Sequence, residues 1–193
     1  MARDQTKSLF FIALLPPEAF QHRANEIKQY FAQTYNSQGA LKSPPHITLQ
    51  PTFDWSQDTL TILEQSLRSF GEIHTPIPIT LRGFGTFAPK VIYINVLKSP
   101  ELLSLQAELM AHLKVSLGII HQNSQNRPFN PHLTVAFRDL TKHNFRLAWP
   151  EFEHRQLEYE FTASELTLLI HDGRQWNVYE SFPLTASIRI RRM

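Results

Sequence analysis

The sequence PHITL at residues 45–49 recurs almost unchanged as PHLTV at residues 131–135. Successive side chains of a β-strand point to opposite faces, so the histidine and threonine of each copy share one face and the two aliphatic residues share the other. Each copy therefore predicts a strand that is anchored in a core on one side and presents an imidazole and a hydroxyl on the other. Two such strands facing one cleft would form a site of two histidines and two threonines: His46, Thr48, His132 and Thr134.

The composition is that of a globular chain that can bury a core. Of its 193 residues, 42% are hydrophobic and 19% are charged, and the formal net charge is +2. This mildly basic balance is compatible with a phosphate-bearing partner but falls short of a nucleic-acid coat. The sequence contains no cysteine, which excludes disulfides, thiolate nucleophiles and thiolate metal sites.

The N-terminal segment, with Arg3 and Lys7 around the start of the apolar run 9–15, resembles a weak signal peptide. We prefer a strand there, because the run is short, Pro16 and Pro17 interrupt it and no small-residue cleavage site follows. No segment is long enough to span a bilayer. We therefore expect a cytoplasmic location and no membrane partner.

Helices are predicted over residues 17–30, 58–71 and 100–118, with Asp58 as a cap of the second and Gly71 as its terminator. A short helix plus loop is expected over 139–154. The remaining segments are predicted as a strand ending at Leu15, strands 77–81, 91–97, 165–170 and 176–182, a turn at 83–90, a polar loop at 121–130, a hairpin turn at 171–174 and a basic tail at 189–192.

In both halves, a strand and a helix precede the motif strand. An internal duplication with two lobes about a pseudo-twofold axis, passing between His46 and His132, would explain this order. We predict an α+β fold in which antiparallel sheets line a central cleft and helices lie outside. We expect residues 1–193 to form a single domain of two lobes, and a monomer without an obligate protein partner.

Two histidines can act as an acid–base pair. A neutral imidazole can deprotonate water while a protonated one delivers a proton to a departing oxygen, which suits phosphodiester hydrolysis. The threonine hydroxyls two residues later lie on the correct face to donate to the nonbridging phosphate oxygens. This chemistry requires neither metal nor cofactor.

The motif also has structural and metal-binding interpretations. A single Pro-His-x-Thr element is more often a structural strand histidine, but a structural role does not explain why histidine and threonine recur in phase. A zinc site would need a third ligand, and neither motif has a carboxylate at useful spacing. The other seven histidines form no recurring pattern, although His121 and His171 could approach a cleft. Walker, nucleophile-elbow and His-Glu-x-x-His sequences are absent.

The paired HITL and HLTV elements resemble the signature of the 2H phosphoesterase superfamily, and the resemblance covers essentially the whole chain. Residues 9–13 and 127–132 resemble its bacterial 2′-5′ RNA ligase-like branch. Members of that branch hydrolyse RNA 2′,3′-cyclic phosphate ends, leave a 2′-phosphate and were first noted for reversible 2′-5′ ligation. A less characterised bacterial branch is resembled by residues 44–46, 87–89, 91–94 and 176–180.

The resemblance implies that His46 and His132 are the acid–base pair and that Thr48 and Thr134 hold the phosphate. For hydrolysis we assign His132 as the base for water and His46 as the acid. Four aromatic residues are further substrate-binding candidates: Phe87, Phe129, Tyr93 and Tyr179. Arg138 is another candidate. In the RNA-acting branch a basic residue directly follows the second motif, whereas here Ala136 and Phe137 lie between the motif and Arg138.

The function predicted from the sequence is a metal-independent phosphodiesterase acting on 2′,3′-cyclic phosphate ends of RNA or on a small cyclic nucleotide. Two alternatives stay open at this point. One is a noncatalytic module that binds nucleotides or RNA ends, and the other is 2′-5′ RNA ligation.

Overall fold

The computed structural model describes residues 6–120 and 128–186. Most of the expected loop at 121–130 and the expected tail at 189–192 lie outside the described residues. The helices are α1 (Glu18–Tyr35), α2 (Leu60–Glu72), α3 (Pro100–Leu117) and α4 (Lys142–Phe152), with short 3-10 helices at Gly39–Lys42 and Gln57–Thr59. The strands are β1 (Lys7–Leu14), β2 (Ile47–Ser56), β3 (Ile77–Phe87), β4 (Val91–Val96), β5 (His132–Ala136), β6 (Glu158–Ala163), β7 (Glu165–His171) and β8 (Trp176–Pro183).

These strands form two four-stranded antiparallel sheets, in the orders β2-β1-β7-β8 and β5-β4-β3-β6. The motif strands β2 and β5 occupy equivalent edges, and each pairs with the strand that precedes it across one long helix. The two helices, α1 and α3, each have 18 residues and end at a residue in the left-handed conformation, Asn36 and Gly118. The predicted α+β fold is confirmed, whereas the single domain remains a prediction.

The core lies on the aliphatic faces of the motif strands. Ile47, Leu133 and Val135 are 0% exposed and Leu49 is 1% exposed, within one buried cluster to which both sheets contribute. Helix α3 packs against β2, and α1 packs against β5. The histidine and threonine of each motif are only half-buried. The strand period therefore leaves all four polar side chains on the face opposite the core.

Both predicted boundaries of α2 are wrong. The helix follows a 3-10 helix, and its N-cap position is Thr59 rather than Asp58, without a capping side-chain hydrogen bond. Gly71 lies inside α2 instead of ending it, and a Cβ added there would collide with the carbonyl oxygen of Pro183. This glycine therefore permits close packing of α2 against the end of β8.

The region 83–90 is also more regular than expected. Strand β3 continues to Phe87, so only residues 88–90 form the turn. Gly83 has a φ of 62°, which favours glycine, and it lies where the pairing of β3 with β4 changes register. A Cβ at Gly85 would lie 2.6 Å from the ring of Tyr93. The extended strand carries Phe87 to the edge of the cleft.

Strand β6 was not predicted from the sequence. It alternates exposed residues such as Glu158 and Glu160 with half-buried Tyr159, and it pairs only with β3 at the edge of its sheet. In α4, Pro150 lies inside the helix rather than interrupting it. Among the described residues, no helix combines the length and the apolar character needed to cross a membrane.

Candidate active site

Residues of both motif strands line a cleft of about 520 Å³, and β2 contacts β5. His46, Thr48, His132 and Thr134 all line this cleft. The structure thus brings together four residues that come from two segments far apart in the chain. What each of them does in a reaction remains a prediction.

Both imidazoles are held in the same way. The Nδ1 atom of His46 lies 2.7 Å from the carbonyl oxygen of Pro44, and the Nδ1 atom of His132 lies 2.8 Å from that of Asn130. A carbonyl can only accept, so Nδ1 carries the proton in both rings. The Nε2 atom of each neutral ring therefore has a free lone pair, and the protonated ring can donate from the same atom.

An aromatic wall flanks each imidazole. The ring of Phe11 lies 4.7 Å from that of His46, and the ring of Trp176 lies 4.6 Å from Phe11 on the same side of the cleft. His132 has Phe87 at 4.9 Å in an edge-on contact and Tyr93 at 5.1 Å. These rings exclude water from one side of each histidine.

This partial burial makes both imidazoles weaker bases. Burial is the main cause that lowers the pKa of His46 from 6.5 to about 4, and the charges of Lys28 and His132 act in the same direction. Burial also lowers the pKa of His132 below its ordinary value. In each case, the hydrogen bond from Nδ1 to a backbone carbonyl opposes the shift. In the free protein, both rings are therefore neutral at pH 7.

The two threonines are placed to donate. Thr48 pairs with Ala13 of β1, and Thr134 pairs with Tyr93 of β4. Each threonine follows its histidine by two residues and lines the cleft with it. Within residues 6–120 and 128–186, neither hydroxyl has a side-chain or backbone partner. No described residue therefore occupies either hydroxyl.

Three cationic residues also line the cleft, namely Lys42, Arg138 and Arg174. Arg138 has a φ of 64°, an uncommon conformation for a residue other than glycine. The next residue, Asp139, accepts hydrogen bonds from the Ser37 hydroxyl at 2.9 Å and from the Gly39 backbone N–H at 2.9 Å. These bonds tie the end of β5 to the 3-10 helix and hold Arg138 at the cleft.

Arg174 lies on the turn between β7 and β8. The Asp172 carboxylate accepts hydrogen bonds of 2.8 Å from the backbone N–H groups of Arg174 and Gln175. These hydrogen bonds lower the pKa of Asp172 to about 2, so it stays ionised and the turn stays organised across the physiological range. The cleft therefore has a positive rim on a fixed backbone, which suits an anionic ligand.

Two of the predicted aromatic candidates lie elsewhere. Phe129 packs against the hydrophobic core and is not among the residues that line the cleft. Tyr179 donates from its hydroxyl to Glu64 of α2 at 2.6 Å, which raises its pKa to about 12. Its ring contacts core-facing Phe10 edge-on at 6.2 Å, so it lies on the face of β8 opposite cleft-lining Trp176. Phe87 and Arg138 line the cleft, and their role in substrate binding stays a prediction.

Several residues of the cleft were not identified from the sequence. Phe11 follows core-facing Phe10 in β1, so the strand period would have placed it on the cleft face. Trp176 and Arg174 arrive from the β7–β8 hairpin, and only the fold brings them near His46. His171, noted as a residue that could approach a cleft, lines it with its ring 4.9 Å from Trp176.

The described residues contain no group of three or more histidine, cysteine, aspartate or glutamate side chains that could hold a metal ion. Metal independence itself stays a prediction, because it concerns the reaction.

Comparison with known proteins gives consistent results over nearly the full chain. Residues 16–175 match the family described as the 2′-5′ RNA ligase superfamily. A Bacillus cytotoxicus protein named "Putative phosphoesterase Bcer98_0945" is 30% identical over 176 residues, which are 90% of this chain and 95% of the relative. An Oceanobacillus iheyensis protein, also named a putative phosphoesterase, is 28% identical over 90% of this chain and 96% of its own.

Two solved structures have a similar fold. The Thermus thermophilus protein TT0787 superposes with a TM-score of 0.67 at 20% identity, covering 93% of this chain and 99% of that one. Escherichia coli LigT in complex with 3′-AMP superposes with a TM-score of 0.61 at 19% identity, with the same coverage of both chains.

Proposed function

This chain belongs to the 2′-5′ RNA ligase superfamily, and we propose that it is a metal-independent phosphodiesterase that hydrolyses 2′,3′-cyclic phosphates by two-histidine acid–base catalysis. The observation that carries the proposal is the matched presentation of His46 and His132. Each has its Nδ1 proton bonded to a backbone carbonyl and its Nε2 atom without a hydrogen-bond partner among residues 6–120 and 128–186, in one cleft with the hydroxyls of two threonines.

The reaction uses both Nε2 atoms. The Nε2 lone pair of His132 accepts a proton from water as the water oxygen forms a bond to phosphorus. The bond from phosphorus to one ribose oxygen breaks, and the Nε2–H of protonated His46 delivers a proton to that oxygen. The product is a phosphomonoester on the other ribose oxygen. It leaves His132 protonated and His46 neutral, and exchange with solvent restores the pair.

The substrate itself supplies negative charge to the site. A bound phosphodiester anion between the two imidazoles favours their protonated forms and thus raises the pKa of each. This allows His46 to carry its proton in the complex, although burial disfavours that form in the free protein. The hydroxyls of Thr48 and Thr134 donate to the nonbridging oxygens, where negative charge develops in the transition state.

The lining of the cleft suits a nucleotide. Phe11, Trp176 and Phe87 offer faces and edges for stacking a base, and Arg138 and Arg174 offer charge for further phosphates. LigT, which has a similar fold, has been solved in complex with 3′-AMP. We therefore propose an RNA 2′,3′-cyclic phosphate end or a small cyclic nucleotide as the substrate.

The experiment is turnover in the presence of a chelator. An oligoribonucleotide ending in a 2′,3′-cyclic phosphate and a nucleoside 2′,3′-cyclic phosphate are each incubated with the protein and EDTA, and products are separated by chromatography. We expect ring opening to a single phosphomonoester. Saturable binding of both compounds without any product would instead identify a noncatalytic binding module.

A further inference from the structure

Lys28 is the only charged side chain that is fully buried among residues 6–120 and 128–186. It is 1% exposed and lies on the buried stripe of α1, between Ala24 and Phe31. An ammonium group is costly to bury unless it is well paired. A lysine at this position therefore requires an explanation beyond packing, because methionine or leucine would fill the space without the cost.

The side chain of Lys28 reaches the segment that carries His46. Its Nζ atom donates a hydrogen bond of 2.9 Å to the carbonyl oxygen of Ser43, a residue that lines the cleft. The next carbonyl, that of Pro44, accepts the hydrogen bond from Nδ1 of His46. Adjacent carbonyls thus link the buried ammonium and the imidazole through a backbone that Pro44 and Pro45 stiffen.

No acidic partner balances this charge within the described part of the chain. Helix α1 packs against β5, α4 and the 3-10 helix at Gly39–Lys42. Glu151 is the only carboxylate on those elements, and it is bonded to the hydroxyls of Tyr30 and Tyr35. The other ionisable groups there are His132, Lys42, Lys142, His143 and Arg146. The ammonium is thus left with a backbone carbonyl as its only described partner.

We propose that Lys28 is a positioning residue for His46, which fixes the backbone that orients the imidazole and supplies from the core a positive charge that the substrate phosphate balances. This inference rests on the proposed function, since it identifies the missing counter-ion as the phosphodiester. Lys28 does not itself touch the reacting atoms.

The electrostatics of the site agree with this geometry. The charge of Lys28 lowers the pKa of His46, and His132 acts in the same direction. Burial lowers the pKa of Lys28 from 10.5 to about 7, so the ammonium is charged below neutral pH and gives up its proton above it. A bound anion raises the pKa of both groups, and proton uptake therefore accompanies binding.

Two variants separate the charge of Lys28 from its hydrogen bond. Lys28→Met removes both, whereas Lys28→Gln keeps an N–H donor for the Ser43 carbonyl without the charge. Lys42→Met is the matched control, because it removes an exposed cation from the cleft rim. The readout is the pKa of His46 in the free protein, followed through its imidazole carbon-bound protons by NMR between pH 3 and 8.

We expect the pKa of His46 to rise by on the order of one unit in both Lys28 variants and to stay unchanged in Lys42→Met. The acidic limb of the pH profile of kcat/KM should move with it. Inorganic phosphate should bind at least about tenfold more weakly to Lys28→Met than to the wild type at pH 6, where Lys28 is charged.

An unchanged pKa of His46 in folded Lys28→Met and Lys28→Gln would overturn the inference. A pKa of His46 that is raised in Lys28→Met but equals the wild-type value in Lys28→Gln would also overturn it. That result would mean that Lys28 acts through its hydrogen bond alone and not through its charge. The titration requires no turnover, so its outcome is independent of the proposed function. Failure of the wild type to open any cyclic phosphate would refute the function while the shift in pKa could still be measured.

Discussion

The pH dependence of kcat/KM follows from the burial of the two histidines. This parameter reports the ionisations of the free enzyme, and a phosphodiester does not titrate above about pH 3. At sufficiently acidic pH, His46 and His132 are both protonated and the base is lost. Above pH 6.5, both are neutral and the acid is lost. Turnover by this pair therefore requires the state in which one ring carries a proton.

The expected profile is a bell with its maximum on the acidic side of pH 6.5, because burial lowers the pKa of each histidine from that value. On the alkaline side, each rise of one pH unit lowers the fraction of singly protonated enzyme tenfold. We therefore expect kcat/KM to fall about a hundredfold between pH 6.5 and 8.5. Under saturating substrate, the bound anion raises both pKa values, and the profile of kcat should lie at higher pH than that of kcat/KM.

The assay is hydrolysis of a nucleoside 2′,3′-cyclic phosphate in EDTA, with ionic strength held constant from pH 3.5 to 9. Circular dichroism at each pH serves as the control that the protein remains folded. A kcat/KM that is flat from pH 5 to 8, or that peaks above pH 7, would refute the assignment of these two buried histidines as the acid–base pair.

Three further predictions concern the elements that build the cleft. Gly71→Ala should lower the free energy of unfolding by about 1–3 kcal/mol in urea titrations, because its Cβ would meet the Pro183 carbonyl; a gain, as helix propensity alone predicts, would contradict the packing. Asp139→Ala should lower the free energy of unfolding by about 1–2 kcal/mol, because it removes the acceptor for the N-terminal end of the 3-10 helix. It should also raise KM more than it lowers kcat, and an unchanged KM would contradict the role of Asp139 in holding the cleft rim. Phe11→Ala should admit water and raise the pKa of His46 toward 6.5 by NMR; a pKa still near 4 would show that Phe11 does not desolvate the ring.

The repeated motif could be interpreted from the sequence because its information is local. A period of two separates Ile47 and Leu49 from His46 and Thr48 without any knowledge of the fold. The second copy then indicated that the polar faces of both motif strands share one cleft. The two-lobed duplication and its shared cleft followed from that repetition, and the structure places the four motif residues together.

The parts that the sequence did not predict depend on contacts between distant segments. Gly71 looked like a helix terminator, and only the approach of β8 explains why it lies within α2. Arg174 reaches the cleft on a hairpin, a contact that no local pattern encodes. Lys28 was not singled out, because a lysine in a helix is ordinarily solvated. Tyr179 lies where the pairing of β7 with β8 changes register, so the period of two does not place its side chain.

The central claim is that His46 and His132 together perform the chemistry, and single-turnover ring opening of a 2′,3′-cyclic phosphate tests it most directly. We compare the wild type with His46→Ala and His132→Ala in EDTA with enzyme in excess. The control is Tyr179→Phe, whose side chain lies on the face of β8 away from the cleft. We predict that each histidine variant loses about 10²- to 10⁴-fold in rate while the control is unaffected. Equal rates in all four folded proteins would contradict the account.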